Sequence, residues 1–201
     1  MKAKILALTV TSCLLAAGAA SAADNSAALD LIRRQCSTCH GPQGISISPT
    51  FPHLAGQTPQ YLEVELKAFR DRSRADPHAQ AFMWGMAAQL TDTTIKQMAE
   101  FFSKQTPPRG ESAGADEIAA GKKIYDEGIE KQDVPACMSC HGEKAEGNET
   151  FPRLAGQRRG YLEKQLEAFA AELRANEIMH ENSKKLTARQ ISDVAAFLSS
   201  R

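Results

Sequence analysis

The sequence predicts an all-α protein made of one small helical unit used twice, and three observations carry that prediction. No stretch alternates apolar and polar residues as a half-buried strand does, whereas apolar residues recur at helical spacing near the end of each half. Phe51 to Arg70 returns as Phe151 to Ala170 with twelve of twenty positions identical. Each half also holds two cysteines three apart followed at once by a histidine: Cys36-Ser37-Thr38-Cys39-His40 and Cys137-Met138-Ser139-Cys140-His141. That pattern holds a haem covalently, through two thioethers, and axially, through the imidazole. Each unit has about 80 to 95 residues, small for an unaided apolar core, and a covalently bound haem supplies the missing centre.

Other uses of paired cysteines fit less well. Zinc fingers of the Cys2His2 kind place their histidines a dozen or more residues beyond the second cysteine, and a redox dithiol needs no adjacent histidine. In a haem site the two cysteines and the histidine have separate roles. Cys36 and Cys39 bind the porphyrin and His40 the iron, and Cys137, Cys140 and His141 do the same in the second unit.

The chain begins Met1-Lys2-Ala3-Lys4, followed by a mostly apolar run from Ile5 to Ala20 and the small residues Ala20-Ser21-Ala22. This is the plan of a cleaved signal peptide over residues 1–22, with a mature protein starting at Ala23 in the periplasm. Thiols and haem are joined in that compartment. Two alternatives lead to the membrane: a retained anchor, although Thr9, Thr11 and Ser12 dilute the run, and acylation at Cys13, although Val10-Thr11-Ser12 is a poor lipobox. Either would tether the protein to the membrane; peripheral membrane association is a further expectation beside them.

In chain order, residues 27–34 read as a helix that delivers Cys36 to His40. The first unit, 23–103, closes with a helix whose stripe is Ile95, Met98, Phe101 and Phe102, with Thr91 at its N-cap. Residues 104–116 have the Pro, Gly and Ser content of a linker running over the surface. The second unit, 117–201, closes with the stripe Ile191, Val194, Phe197 and Leu198, where Thr187 and Gln190 form a capping box.

A haem iron with one histidine needs a sixth ligand if it is to transfer electrons rather than bind oxygen or peroxide. Met83 stands seven residues before Leu90 and Met179 seven before Leu186, matched positions ahead of the two closing helices. Met86, His78 and His180 are the competing ligands, none of them matched in the other unit. Met98 belongs to the core stripe and Met138 is confined to the thioether loop. His53, replaced by Arg153 in the repeat, is expected on the surface. Pro52 and Pro152 follow the histidines by 12 and 11 residues, and their carbonyls are placed to accept from the imidazole Nδ1–H; a rigid turn before a helix is an equal reading, compatible with the first.

The 24 basic and 24 acidic side chains leave no positive field for nucleic acid. Arg70, Arg72 and Arg74 read as a solvated helix end, or as a docking patch for a redox partner.

On the two Cys-x-x-Cys-His-Gly runs, the two Phe-Pro-x-Leu-Ala-Gly-Gln-x-x-x-Tyr-Leu segments and the two Met-to-Leu-Thr loops, the chain resembles the dihaem cytochrome c4 family, tandem class I cytochrome c domains exported by bacteria. The resemblance implies two haem c groups with His/Met ligation, related by a pseudo-twofold axis with their propionate edges close. It implies an electron carrier rather than an enzyme, working between a redox protein donor and acceptor in a respiratory chain, towards a terminal oxidase. A subunit of a dehydrogenase such as a flavocytochrome c would have the same ligation, whereas a dihaem peroxidase would lack one of the methionines. The sequence departs from the pattern in the second methionine of Met83-Trp84-Gly85-Met86, and in the first helix, which lacks counterparts of Gly121 and Tyr125.

Overall fold

The structure, a computed structural model, describes residues 26–201; the expected signal peptide, Cys13 and the expected mature start at Ala23 lie outside the described residues. In the first domain, helix α1 begins over residues 26–31 and runs without interruption to His40, further than the expected end at residue 34. Its middle turn, Ile32–Cys36, is π-helical, the Ser37 hydroxyl donates to the Ile32 carbonyl at 2.8 Å, and an α-helical turn follows over Ser37–His40. Helix α2 is Pro59–Arg70, with proline at its first position, where the missing N–H costs nothing. Helix α3 joins a second π-turn, Ala79–Met83, to an α-turn, Trp84–Ala87. Helix α4, Asp92–Ser103, starts at Thr91, whose side chain accepts from the Thr94 amide at 3.1 Å.

The second domain repeats the plan in α5 (Ala115–Glu127), α6 (Met138–His141), α7 (Arg159–Ala170), α8 (Glu177–Ser183) and α9 (Ala188–Ser199). Thr187 and Gln190 close the capping box at α9, with bonds of 3.3 and 2.8 Å. Two isolated bridges, Ile129 with Val134 and Asn148 with Phe151, are the only strand-like pairings among the described residues. The stripes named above form the two cores: Ile95, Met98 and Phe102 in one, Val194, Phe197 and Leu198 in the other.

The repeated segment is pinned identically in both halves. Leu54 and Ala55 donate their amides to the Gly44 carbonyl and Gly56 donates to Phe102 at the end of α4; Leu154 and Ala155 donate to Ala145 and Gly156 to Leu198 at the end of α9. This explains the identity of Leu-Ala-Gly in the two copies: the segment ties the loop behind each histidine to the closing helix of its own domain. The linker does not run free over the surface. Pro107 packs so closely on Gly56 that a Cβ there would lie 2.4 Å from its ring, and the Glu111 amide donates to the Ser199 carbonyl at 2.7 Å.

Candidate haem sites and the interface between them

Helices α1 and α6 end on His40 and His141, and both rings are buried, at 7% and 8% exposure. Nδ1 of His40 donates to the Pro52 carbonyl at 2.9 Å, and Nδ1 of His141 donates to the Pro152 carbonyl at 3.1 Å. A carbonyl can only accept, so Nδ1 carries the proton and Nε2 keeps its lone pair, the tautomer a metal ligand needs. Burial moves both imidazoles below their ordinary pKa and keeps them neutral. Phe51 and Phe151 lie beside the rings at centroid distances of 6.1 and 6.3 Å. Directly after His40 the chain must turn sharply. Gly41 takes φ +77°, and a side chain there would meet the Ile45 carbonyl at 2.2 Å.

Cys36, Cys39, Cys137 and Cys140 form no disulfides, which leaves all four sulfurs for attachment to a porphyrin. Before haem attachment, burial pushes the Cys36 and Cys137 thiols up to about 11. Met83 ends the π-turn of α3, is half-buried, and packs on the apolar cluster that also receives Cys36. Its rival Met86 is 52% exposed. His78 lies edge-on to Phe82 at 5.7 Å. Met179 is half-buried on α8, where its amide donates to the N-cap side chain of Asn176 at 2.9 Å. The neighbouring His180 donates from Nδ1 to the Phe169 carbonyl at 2.9 Å, and its Nε2 stands 3.9 Å from Glu172. In each domain, then, two thiols, one neutral imidazole with a free Nε2 and one thioether are available, a donor set that suits a covalently attached haem.

Both π-turns lie in the first domain, one ending on Cys36 and the other on Met83. A π-turn widens the helix by one residue and is frequent at functional sites. Period-3.6 patterning carries no mark of it, so the sequence did not reveal these two turns.

Sequence reasoning also misplaced His53 and Arg74. His53 is buried, at 6% exposure, because it lies against the second domain: its amide donates to Gln157 Oε1 at 2.7 Å, its carbonyl accepts from Gln157 Nε2 at 2.9 Å, and its Nδ1 accepts from the Ser46 amide at 3.0 Å. Arg74 is no part of a docking patch. At 8% exposure it stacks on Phe69, donates to Asp76 at 2.9 Å and to Gln165 of the other domain at 2.8 Å, and pairs with Glu65. Arg174, its repeat partner, stacks on Phe169 and donates to Glu65 at 2.6 Å, Tyr61 at 3.0 Å and Gln165 at 2.6 Å. Arg70 is held by Asp71 and Asp92, and Arg72 lies over Trp84, so the three arginines have three separate surroundings. The identical Arg-Ala at 74–75 and 174–175, beyond the repeat counted above, is the signal that could have found the buried pair.

Comparison with known proteins agrees with this architecture. The cytochrome c family matches residues 17–106 and again 118–201. Cytochrome c-552 of Acidithiobacillus ferridurans is 43% identical over 201 residues, covering 96% of this chain and 86% of the relative. The thiosulfate dehydrogenase electron acceptor of Thiomonas intermedia is 33% identical, covering 83% of this chain and 78% of the relative. The solved cytochrome c4 structure of Acidithiobacillus ferrooxidans superimposes with a TM-score of 0.79 at 41% identity, covering 83% of this chain and 98% of that one. Two tandem domains, two covalently bound haem c groups and an electron-transfer role, not an enzymatic one, place this chain in the dihaem cytochrome c4 family.

Proposed function

We propose that the protein is a periplasmic electron carrier of a respiratory chain, delivering electrons towards a terminal oxidase. Cys36 and Cys39 would attach one haem and Cys137 and Cys140 the other; His40 with Met83, and His141 with Met179, would hold the two irons. The observation that carries this reading is the twofold repetition of one device, a buried imidazole whose Nδ1–H is taken by a proline carbonyl so that Nε2 is free for a metal. The haem, when bound, supplies the one-electron couple. The residues around it supply rigidity. The proline carbonyl makes each histidine a stronger donor, the Asn176 cap fixes the start of α8, and burial keeps water from competing for the iron. Two methionine ligands would fill both sixth positions, which suits transfer rather than peroxide chemistry.

The test is an absorption spectrum of the purified exported protein with haem counted per chain. Two covalent haems are expected, with a methionine-to-iron charge-transfer band. Met83→Leu and Met179→Leu should each remove about half of that band. An unchanged band in Met83→Leu would move the first ligand to Met86 or His78.

One relative favours a second reading. The thiosulfate dehydrogenase electron acceptor matches most of this chain, and on that likeness the protein is the electron-accepting partner of a dehydrogenase. Co-purification with a catalytic subunit, together with thiosulfate-dependent reduction of the mixture, would select it; a monomer that stays oxidised would reject it.

A further inference from the structure

On the second domain, α5, the end of α9 and the loop 144–155 line an open surface cavity of about 470 Å³, on the side of the loop that follows His141. Its apolar lining is Ile118 and Phe197, the latter nearly buried with the Arg201 guanidinium over its ring at 5.3 Å, and its other cations are Arg153, Lys144 and Lys122. Nε of Arg153 is shielded from solvent and has no hydrogen-bond partner, and burial lowers the pKa of that guanidinium. The side chain is half-buried, so the cost falls on the shielded Nε, a donor without an acceptor, and an anion settling beside the guanidinium would offer one.

The acidic groups nearby leave this need unmet. Asp126 pairs with Lys122, while Glu146 accepts from the Lys144 amide at 2.8 Å and reaches Arg153 only across space. Duplication does not explain the charge either. At the positions matching Lys144, Arg153 and Arg201, the first domain has Gln43, His53 and Gln105. The basic rim therefore belongs to one copy of the unit and to this cavity.

We propose that the cavity binds an amphiphilic phosphate, its phosphate group on Arg153 and the neighbouring lysines and a short apolar body against Phe197 and Ile118. Several donors on separate side chains favour an oxyanion with several acceptors over a single carboxylate, and the guanidinium fork matches phosphate geometry. A lipid headgroup and a free phosphate ester share this chemistry.

The experiment titrates hexyl phosphate into the holoprotein by calorimetry. Saturable 1:1 binding is expected, at least tenfold tighter than inorganic phosphate and weakened about tenfold in Arg153→Gln. The substitution leaves the backbone bonds of residue 153 in place, and an unchanged visible spectrum and unfolding midpoint would show that the fold is intact. Lys123→Gln removes the same charge one residue from Lys122, outside the cavity lining, and should leave binding unchanged. Flotation with phosphatidylglycerol vesicles but not phosphatidylcholine, lost in Arg153→Gln, would identify a lipid as the source; hexyl phosphate binding without flotation would identify a free ester. The proposal is overturned by absence of saturation, by equal loss in Lys123→Gln, by inorganic phosphate binding as tightly as hexyl phosphate, or by a glutamate-rich peptide binding where hexyl phosphate does not.

Discussion

Gln57 and Gln157 make the same pair of bonds across the domain boundary in opposite directions: Gln57 brackets the backbone of Arg153 at 3.0 and 2.6 Å, and Gln157 that of His53 at 2.9 and 2.7 Å. Each side-chain amide therefore does for a foreign segment what a neighbouring strand would do in a sheet, donating to a carbonyl and accepting from an amide. The residues bracketed follow Pro52 and Pro152, whose carbonyls orient the two histidines. Docking of the domains and positioning of the imidazoles are thus adjacent on the chain.

Gln157→Ala would leave the buried amide and carbonyl of residue 53 unpaired. The expected loss is about 2 to 4 kcal/mol, because two desolvated groups lose their partners. Denaturant unfolding of the holoprotein checks it. The double variant Gln57→Ala/Gln157→Ala should unfold in two transitions, one per domain, where the parent unfolds in one.

Glu65 receives Arg74 from its own domain and Arg174 from the other, and the second domain has Gln165 at the matching position. With Asp76, the two buried guanidiniums face two carboxylates, and charge balances. Glu65→Gln breaks that balance and should cost about 3 to 5 kcal/mol, the penalty of a buried charge left without its partner. Combining it with Arg174→Gln should restore part of the loss, a coupling that a double-mutant cycle measures. Equal, additive losses would count against the shared carboxylate.

These interface residues explain what the sequence could and could not convey. Local devices were legible, because their partners lie within a few residues or in a repeated frame: the caps at Thr91 and Thr187, the apolar stripes, the two histidines with their prolines. His53 and Arg74 were misjudged for a different reason. Each sits in a polar, loop-like context that reads as surface, and each is buried by a segment about 100 residues away, a pairing that periodicity does not record. The strict identity of Gln57 with Gln157 was visible, but a glutamine between Gly and a helix start has no single meaning until the two copies are docked face to face.

The buried His53 also sets a pH dependence. Desolvation, aided by the nearby Arg158 charge, lowers its pKa from 6.5 to about 4, and its Nδ1 must stay unprotonated to accept from Ser46. Between those values the unfolded chain binds more protons than the folded one. Its contribution is therefore complete above about pH 6.5, falls as the pH drops towards 4, and levels off below, with a total of roughly 2 to 3 kcal/mol. Unfolding free energies of the holoprotein measured from pH 7.5 to 4 should follow this slope, and His53→Gln should flatten it.

Gly121 and Gly85 both lie in helices and predict opposite outcomes for the same substitution. At Gly121 a Cβ would stand 2.0 Å from the Asp193 carbonyl oxygen and 2.8 Å from the Phe197 side chain, so α5 and α9 touch backbone to backbone. Backbone atoms cannot rotate aside. Gly121→Ala must lift α5 from α9, loosening Tyr125, which is fully buried there and donates to the Gly142 carbonyl at 2.6 Å just beyond His141. A loss of about 3 kcal/mol is expected, with the larger effect on the second domain. At Gly85 no protein atom beyond its own helix backbone and chain neighbours lies within 4 Å of the added methyl, and alanine is the better helix former by about 0.5 to 1 kcal/mol. Gly85→Ala should therefore stabilise the first domain slightly. Thermal unfolding, read together with the methionine-to-iron band, checks both the sign and the site: a higher midpoint with the band retained places Gly85 outside the ligand geometry, whereas a weakened band would show that the turn positions Met83 through glycine's freedom.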